Sequence, residues 1–132
     1  MSLFVDTSGF HALLVGSEPD SEAVLSAFRR AAESGRRMLT SNYVVVETTA
    51  LLQNRVGLSP VRDLEARFLP LMEIVFVDAA FHRRAVERLL RIDRRRISLV
   101  DASSFEVMDA QGISDVLGLD ADFEEQGFRL VP

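Results

Sequence analysis

The run Ser2-Leu3-Phe4-Val5-Asp6-Thr7-Ser8-Gly9 decides how the rest of the chain is read. A short apolar segment closed by a polar, glycine-containing turn at 7–9 reads as a buried strand over 2–5. Asp6 then stands at the carboxyl end of that strand. Everything downstream repeats the theme of short apolar runs separated by helical patterns.

A short helix is expected over 9–15, stopped by Gly16 and Pro19. A second runs from a cap at Asp20 or Ser21 to Ser34, with Gly35 as its stop, and its apolar positions Val24, Leu25 and Phe28 fit a 3.6-residue period. Residues 36–40 form the second strand, after which Ser41 or Asn42 caps a helix to about Val56 that carries Glu47 in its second turn. Ser59 before Pro60 starts the next helix, because a serine oxygen accepts a terminal N–H and proline at the first position gives up no hydrogen bond; it ends before Pro70. Residues 72–77 are the third strand. Asp78 caps the longest helix, 79–94, with Phe81, Ala85, Leu89 and Ile92 on one face. Ser98 caps a further helix through Met108, ended at Gly112, and Asp101 falls in its first turn. Strands over 113–117 and 128–131 flank a loop or short turn at 120–126. Helices alternating with short apolar strands make an α/β protein: a three-layer sandwich around a mostly parallel five-stranded sheet, in one domain over 1–132.

With 132 residues and 48% hydrophobic content, the chain can bury one core and is short for two. It has no cysteine, which excludes disulfides, thiolate nucleophiles and cysteine-rich zinc sites. The start carries no basic stretch followed by an apolar run, and no segment is apolar enough for a membrane span, so the expected location is cytoplasmic with no membrane partner. A net charge of −5 argues only weakly against nucleic acid, since acids gathered in one site make the total negative while basic faces persist elsewhere. All 15 basic residues are arginine. Mechanisms that need an amine are therefore excluded.

In an open parallel sheet, ligands bind beyond the carboxyl ends of the strands, where helices also begin. Asp6 lies at such an end, Asp101 in a helix first turn, and Asp120 and Asp122 shortly after the fourth strand. Glu47 interrupts the apolar run Tyr43-Val44-Val45-Val46-Glu47-Thr48-Thr49-Ala50-Leu51-Leu52. A carboxylate half buried there must be neutral, paired or metal-bound, and metal is the option all these acids share. A lone acid in a helix first turn has a plainer role, complementing the helix dipole for about 0.3–1 kcal/mol. Together, carboxylates without histidine or cysteine ligands suit a hard octahedral cation, Mg²⁺ or Mn²⁺. Such a cation can supply a nucleophilic water and stabilise charge on a phosphoryl oxygen, so phosphodiester hydrolysis is the reaction this set most readily serves.

The order Asp6-Thr7-Ser8, Glu47 within an apolar helix, Ser98-Leu99-Val100-Asp101-Ala102 at a helix start, Leu119-Asp120-Ala121-Asp122-Phe123, and the closing Gly127-Phe128-Arg129-Leu130 resembles the PIN-domain family over essentially the whole length. Within it the chain is most similar to the VapC-type toxins of bacterial toxin–antitoxin pairs. The resemblance implies a five-stranded parallel sheet and one or two Mg²⁺ or Mn²⁺ ions. It implies Asp6, Glu47, Asp101 and Asp120 as catalytic acids and metal ligands, with Asp122 able to share the fourth position. Thr7 or Ser8 would be the hydroxyl that hydrogen-bonds within the cluster. It implies an endoribonuclease acting on RNA, a homodimer, and inhibition by a cognate antitoxin protein.

Two other features bear on function. Arg83, Arg84, Arg88, Arg91, Arg94, Arg95 and Arg96 crowd the long helix and its end. They read either as a solvated helix face or as an RNA-backbone track, with Arg94, Arg95 and Arg96 the best placed because they lead into the Ser98 turn. His11 and His82 match no ligand spacing and read as structural or exposed, and Tyr43 is the one aromatic suited to stack on a base. Rival enzymes fail on the residues present. A haloacid-dehalogenase-like phosphatase needs a second aspartate where Ser8 stands, that class and receiver domains need a lysine, and no Gly-Lys-Ser/Thr phosphate loop occurs. The rival of another kind is a non-catalytic RNA-binding or scaffolding domain, whose mark would be loss of one or more of the acids.

Overall fold

A computed structural model describes all of residues 1–132. In chain order it comprises β1 (Ser2–Val5), α1 (Thr7–Leu14), α2 (Ser21–Glu33), β2 (Arg37–Ser41), α3 (Asn42–Arg55), α4 (Ser59–Asp63), β3 (Glu73–Val75), α5 (Ala79–Ile92), α6 (Leu99–Gln111), β4 (Asp115–Leu117), α7 (Asp122–Glu125) and β5 (Arg129–Val131). The five strands form one sheet in the order β3-β2-β1-β4-β5, and every pairing is parallel. Leu3, Phe4 and Val5 of the central strand are all fully buried. Successive side chains of a strand point to opposite faces. Both faces of the sheet are therefore covered, which makes the expected three-layer α/β sandwich.

The core continues through Phe10, Val24, Leu39, Val44, Leu52, Phe105, Met108, Val116 and Phe123. Phe105 packs edge-on against Phe123 at 5.0 Å between ring centroids, which fixes the short α7 against α6. At the amino edge of the sheet the buried Asp115 accepts hydrogen bonds from Arg36 and Arg129. These arginines hold its carboxyl below the usual range. That triad ties β5 and the start of β2 to β4 and lies at the edge opposite the cleft described below.

Several boundaries differ from the expectation, each for an identifiable reason. The turn expected at 7–9 is the first turn of α1, because Asp6 serves as its N-cap and the helix begins at Thr7. Ser59 is a helical residue instead of the cap, and the helix expected to run unbroken towards Pro70 gives way after Asp63 to a π-helical turn over Leu64–Phe68 and a 3₁₀ turn over Leu69–Leu71. Pro70 has no N–H for a continuing ladder. The strand expected over 72–77 keeps only 73–75, since the Val77 N–H bonds to the Asn42 side chain at 2.6 Å. The strand expected over 113–117 starts at Asp115, because the Ile113 N–H turns back to Met108 as α6 closes at Gly112. The second and fifth strands run over 37–41 and 129–131 in place of 36–40 and 128–131, and α5 stops at Ile92, short of 94. Part of the loop expected at 120–126 is the helix α7.

Candidate active site

The strand order makes β1 the point where the chain changes direction: β2 and β3 are laid on one side of it, β4 and β5 on the other. Loops leaving neighbouring strands part there and open a crevice at the carboxyl edge. Asp6 leaves β1 and Asp120 follows β4, so the two acids flank this opening. The backbones approach closely here. The Asp6 N–H donates to the Leu117 carbonyl at 3.1 Å. A Cβ on Gly9 would lie 2.2 Å from that same carbonyl oxygen, and one on Gly118 would lie 3.0 Å from the Ser8 hydroxyl. Only glycine permits this seam.

Each acid also has a local partner that orients it. Asp6 is 3% exposed, and its Oδ2 accepts from the Ser8 hydroxyl at 2.9 Å. The same hydroxyl accepts from the Leu119 N–H at 2.9 Å, which ties the start of α1 to the loop after β4. Asp101 belongs to a capping box: its carboxylate accepts from the Ser98 N–H, and the Ser98 hydroxyl accepts from the Asp101 N–H, both at 3.0 Å. Asp120 accepts from the Asp122 N–H at 2.9 Å. Glu47 comes from the second turn of α3, which packs against α1 and α6.

One cleft is lined by Asp6, Glu47, Asp101 and Asp120 together with Thr7 and Ser8. Ser8 is the hydroxyl bonded within the cluster, whereas the buried Thr7 hydroxyl has no hydrogen-bond partner. The carboxylate of Asp122 comes within 4.8 Å of those of Asp101 and Asp120, yet it is bound to Arg96 at 2.7 Å and lies outside the cleft lining. Arg96 also pairs with Glu125 at 2.7 Å and Arg94 with Glu125 at 2.9 Å, so two of the three arginines considered for RNA hold α7 in place, and Arg95 has no such pair. Tyr43 and His82 hydrogen-bond to each other beside Glu47, on an adjoining apolar groove. His11, read as structural or exposed, instead lines the cleft with its Nδ1 3.4 Å from Glu18. Glu18 and Arg55 line it too. For Arg55 the signal was present in the sequence: Glu47, Leu51 and Arg55 recur at i, i+4 and i+8. His11 and Glu18 carried none: His11 stands on α1, and the α1–α2 connection brings Glu18 beside it at the cleft.

Burial, and to a lesser degree neighbouring charge, raises the affinity of Asp6, Asp101 and Asp120 for protons. Burial pushes the Asp6 carboxyl up to about 7, with the charge of Asp101 adding to the rise and the Ser8 hydrogen bond opposing it. Burial also raises Asp101, aided by the charges of Asp120 and Glu47, and raises Asp120. A clear pH dependence follows. As pH climbs from about 4, the unfolded chain ionises at these positions while the folded chain keeps the Asp6 proton until about 7. The native state then binds more protons than the unfolded state, so stability falls with rising pH in that window and levels off above it. Asp115 and Glu73, whose values are lowered, act only at more acid pH. In EDTA, Tm should be several degrees lower at pH 7.5 than at pH 5, and Mg²⁺ should shrink the gap. A Tm that rises over that range in EDTA would contradict the placement of these charges.

The donors fit a hard divalent cation. They are all carboxylate oxygens: those of Asp101, Asp120 and Asp122 lie within 4.8 Å of one another, Asp6 and Glu47 line the cleft with the first two, and the unpartnered Thr7 hydroxyl offers a further oxygen. No sulfur lines the cleft, and its one imidazole, His11, stands beside Glu18.

An open, all-parallel α/β sheet with an acidic cleft at its switch point defines a class of proteins that perform chemistry at a strand-edge carboxylate cluster. The PIN-domain profile matches residues 3–129, and the chain belongs to the PIN-domain family. The 23S rRNA-specific endonuclease VapC20 of Mycobacterium tuberculosis is 37% identical to it over 127 residues, covering 96% of this chain and 95% of that protein. The crystal structure of M. tuberculosis VapC20, described as a sarcin-ricin loop cleaving toxin, superposes with a TM-score of 0.84 at 34% identity, over 98% of this chain and 99% of the other. FitAcB from Neisseria gonorrhoeae shares the fold, with a TM-score of 0.70 at 17% identity over 98% and 96% of the two chains.

Proposed function

We propose that this chain is a Mg²⁺- or Mn²⁺-dependent endoribonuclease, a single nuclease domain over 1–132 acting as the toxin of a type II toxin–antitoxin pair. The observation that carries the reading is the convergence of Asp6, Glu47, Asp101 and Asp120 on one cleft at the switch point. RNA as substrate is supported by the 37% identical relative, named as a 23S rRNA-specific endonuclease, which makes structured ribosomal RNA the first class to test. Its description as a toxin supports a cognate antitoxin protein as partner.

In this reading Asp6, Glu47, Asp101 and Asp120 would hold the cation. Asp120 takes the fourth position in preference to Asp122, whose carboxylate is committed to Arg96. When bound, the ion supplies a Lewis acid for the phosphoryl oxygen and makes the attacking water more acidic. Ser8 fixes the orientation of Asp6, and the capping box fixes Asp101, so the ligands are held before substrate arrives. Arg94, Arg95 and Arg96 flank the site as backbone contacts, Arg95 the freest of them. A homodimer, as the resemblance to VapC-type toxins implies, would have exposed apolar side chains such as Val46, Phe76 and Leu90 available to cover. The protein acts in the cytoplasm.

The test is cleavage of end-labelled ribosomal RNA fragments, mixed-sequence RNA and single-stranded DNA. Cleavage of RNA should require Mg²⁺ or Mn²⁺ and fail with Ca²⁺, whose longer and looser coordination positions water poorly. Full activity in EDTA would refute the metal assignment. Absence of cleavage with every ion would favour the non-catalytic RNA-binding reading.

A further inference from the structure

Helices α1 and α3 both start at the carboxyl edge and pack together, so the cleft continues between them, away from the acid cluster. One wall is Thr7, Ser8 and His11; the other is Glu47, Leu51 and Arg55. Spacings of four residues along α3 keep the last three on one helix face, and eight residues at 1.5 Å each put Arg55 about 12 Å beyond Glu47. Arg55 is the only arginine lining the cleft. It is exposed and forms no ion pair, although five carboxylates line the same cleft. A free guanidinium at the end of an acidic trough is suited to a polyanion running through it.

We propose that the trough between α1 and α3 is a substrate subsite in which Arg55 holds a phosphate of the RNA backbone other than the one being cleaved. The inference rests on the nuclease reading above and adds the direction in which the strand leaves the acid cluster. Arg55 acts as a positioning residue: it draws the backbone past Leu51 and His11 and offsets the repulsion that Glu18 and the acid cluster exert on a second phosphate.

The test compares the native chain with Arg55→Ala, Arg55→Lys and, as a control outside the cleft, Arg29→Ala. Each is measured for cleavage of a labelled ribosomal RNA fragment in Mg²⁺ and for binding of the same fragment in Ca²⁺ across a salt series. Arg55→Ala should raise KM and Kd about tenfold, leave kcat within about twofold, and flatten the plot of log K against log salt by about 0.7, the loss of one single-strand phosphate contact. Arg55→Lys should restore the slope, and Arg29→Ala should match the native chain. Arg55 also closes α3, where a cation complements the helix dipole. That role alone would move Tm and leave the salt slope unchanged, which overturns the inference. A fall in kcat with KM unchanged overturns it too, by placing Arg55 at the reacting phosphate. A native chain that cleaves while Arg55→Ala shares its KM and slope removes the subsite and keeps the nuclease. A native chain that neither cleaves nor binds RNA removes both.

Discussion

Asp101→Asn should lose cleavage by roughly 10²- to 10⁴-fold, the range covered by loss of one positioned catalytic group, and yet melt in EDTA at the native temperature or above it. Burial is the main cause of the raised Asp6 and Asp101 carboxyls, and Asp101 is the hub of the smaller charge contribution: its charge raises Asp6, and those of Asp120 and Glu47 raise Asp101. Neutralising it relieves those repulsions. The usual cost of removing a capping acid is largely avoided, because an asparagine oxygen can still accept the Ser98 N–H that the carboxylate now takes at 3.0 Å. Added Mg²⁺ should raise the Tm of the native chain more than that of the variant, since a ligand stabilises in proportion to its occupancy of the folded state. Melting curves with and without Mg²⁺, alongside cleavage rates, check all three parts. A variant that is less stable in EDTA and gains as much from Mg²⁺ would show Asp101 to be a capping acid only.

Gly9→Ala should damage fold and activity together. A methyl group there would sit 2.2 Å from the Leu117 carbonyl oxygen, well inside van der Waals contact and against backbone that cannot rotate away. That oxygen also accepts the Asp6 N–H, so moving it loosens the hydrogen bond that joins β4 to the first acid. Alanine favours a helix interior by about 1 kcal/mol over glycine, but overpacking typically costs about 1–3 kcal/mol and more where backbone must shift. The clash therefore wins. Tm should drop by roughly 5–10 °C. Cleavage should fall further than folding alone explains, because Asp6 and Asp120 move apart. Gly16→Ala is the control: nothing lies within 4 Å of its added Cβ, and it should be neutral or slightly stabilising. Equal behaviour of the two variants would mean the α1–β4 seam tolerates expansion.

Much of this molecule is legible in its residues because the determining interactions are local. The buried run 2–5, the caps Ser41, Asp78 and Ser98, and the stops Gly35 and Gly112 each act within a turn of where they stand. The acids at 6, 101 and 120 were readable for the same reason: each sits where an apolar run ends or a helix begins. The differences have both local and distant causes: Asp6 caps α1 through the Ser8 N–H where a turn was expected, and Asn42, 35 residues away, takes the Val77 N–H and shortens β3.

Alternation of helices with short apolar strands, together with the order of the acids, determined the α/β class, the parallel sheet and the family. Which acids share a cleft was decided only by the tertiary structure. Strand order sets the switch point beside β1, the glycine seam brings Asp6 against the loop after β4, and packing of α3 against α1 and α6 swings Glu47 over the same edge. Tertiary contacts likewise place His11 and Glu18 on the cleft and bind Asp122 to Arg96, 26 residues away in the chain. The physical reason is one of range. Propensity, capping and patterning act over a few residues and are written in the local sequence. Convergence of charges depends on contacts between segments as far as 111 residues apart, which the chain specifies only by burying its core in one arrangement.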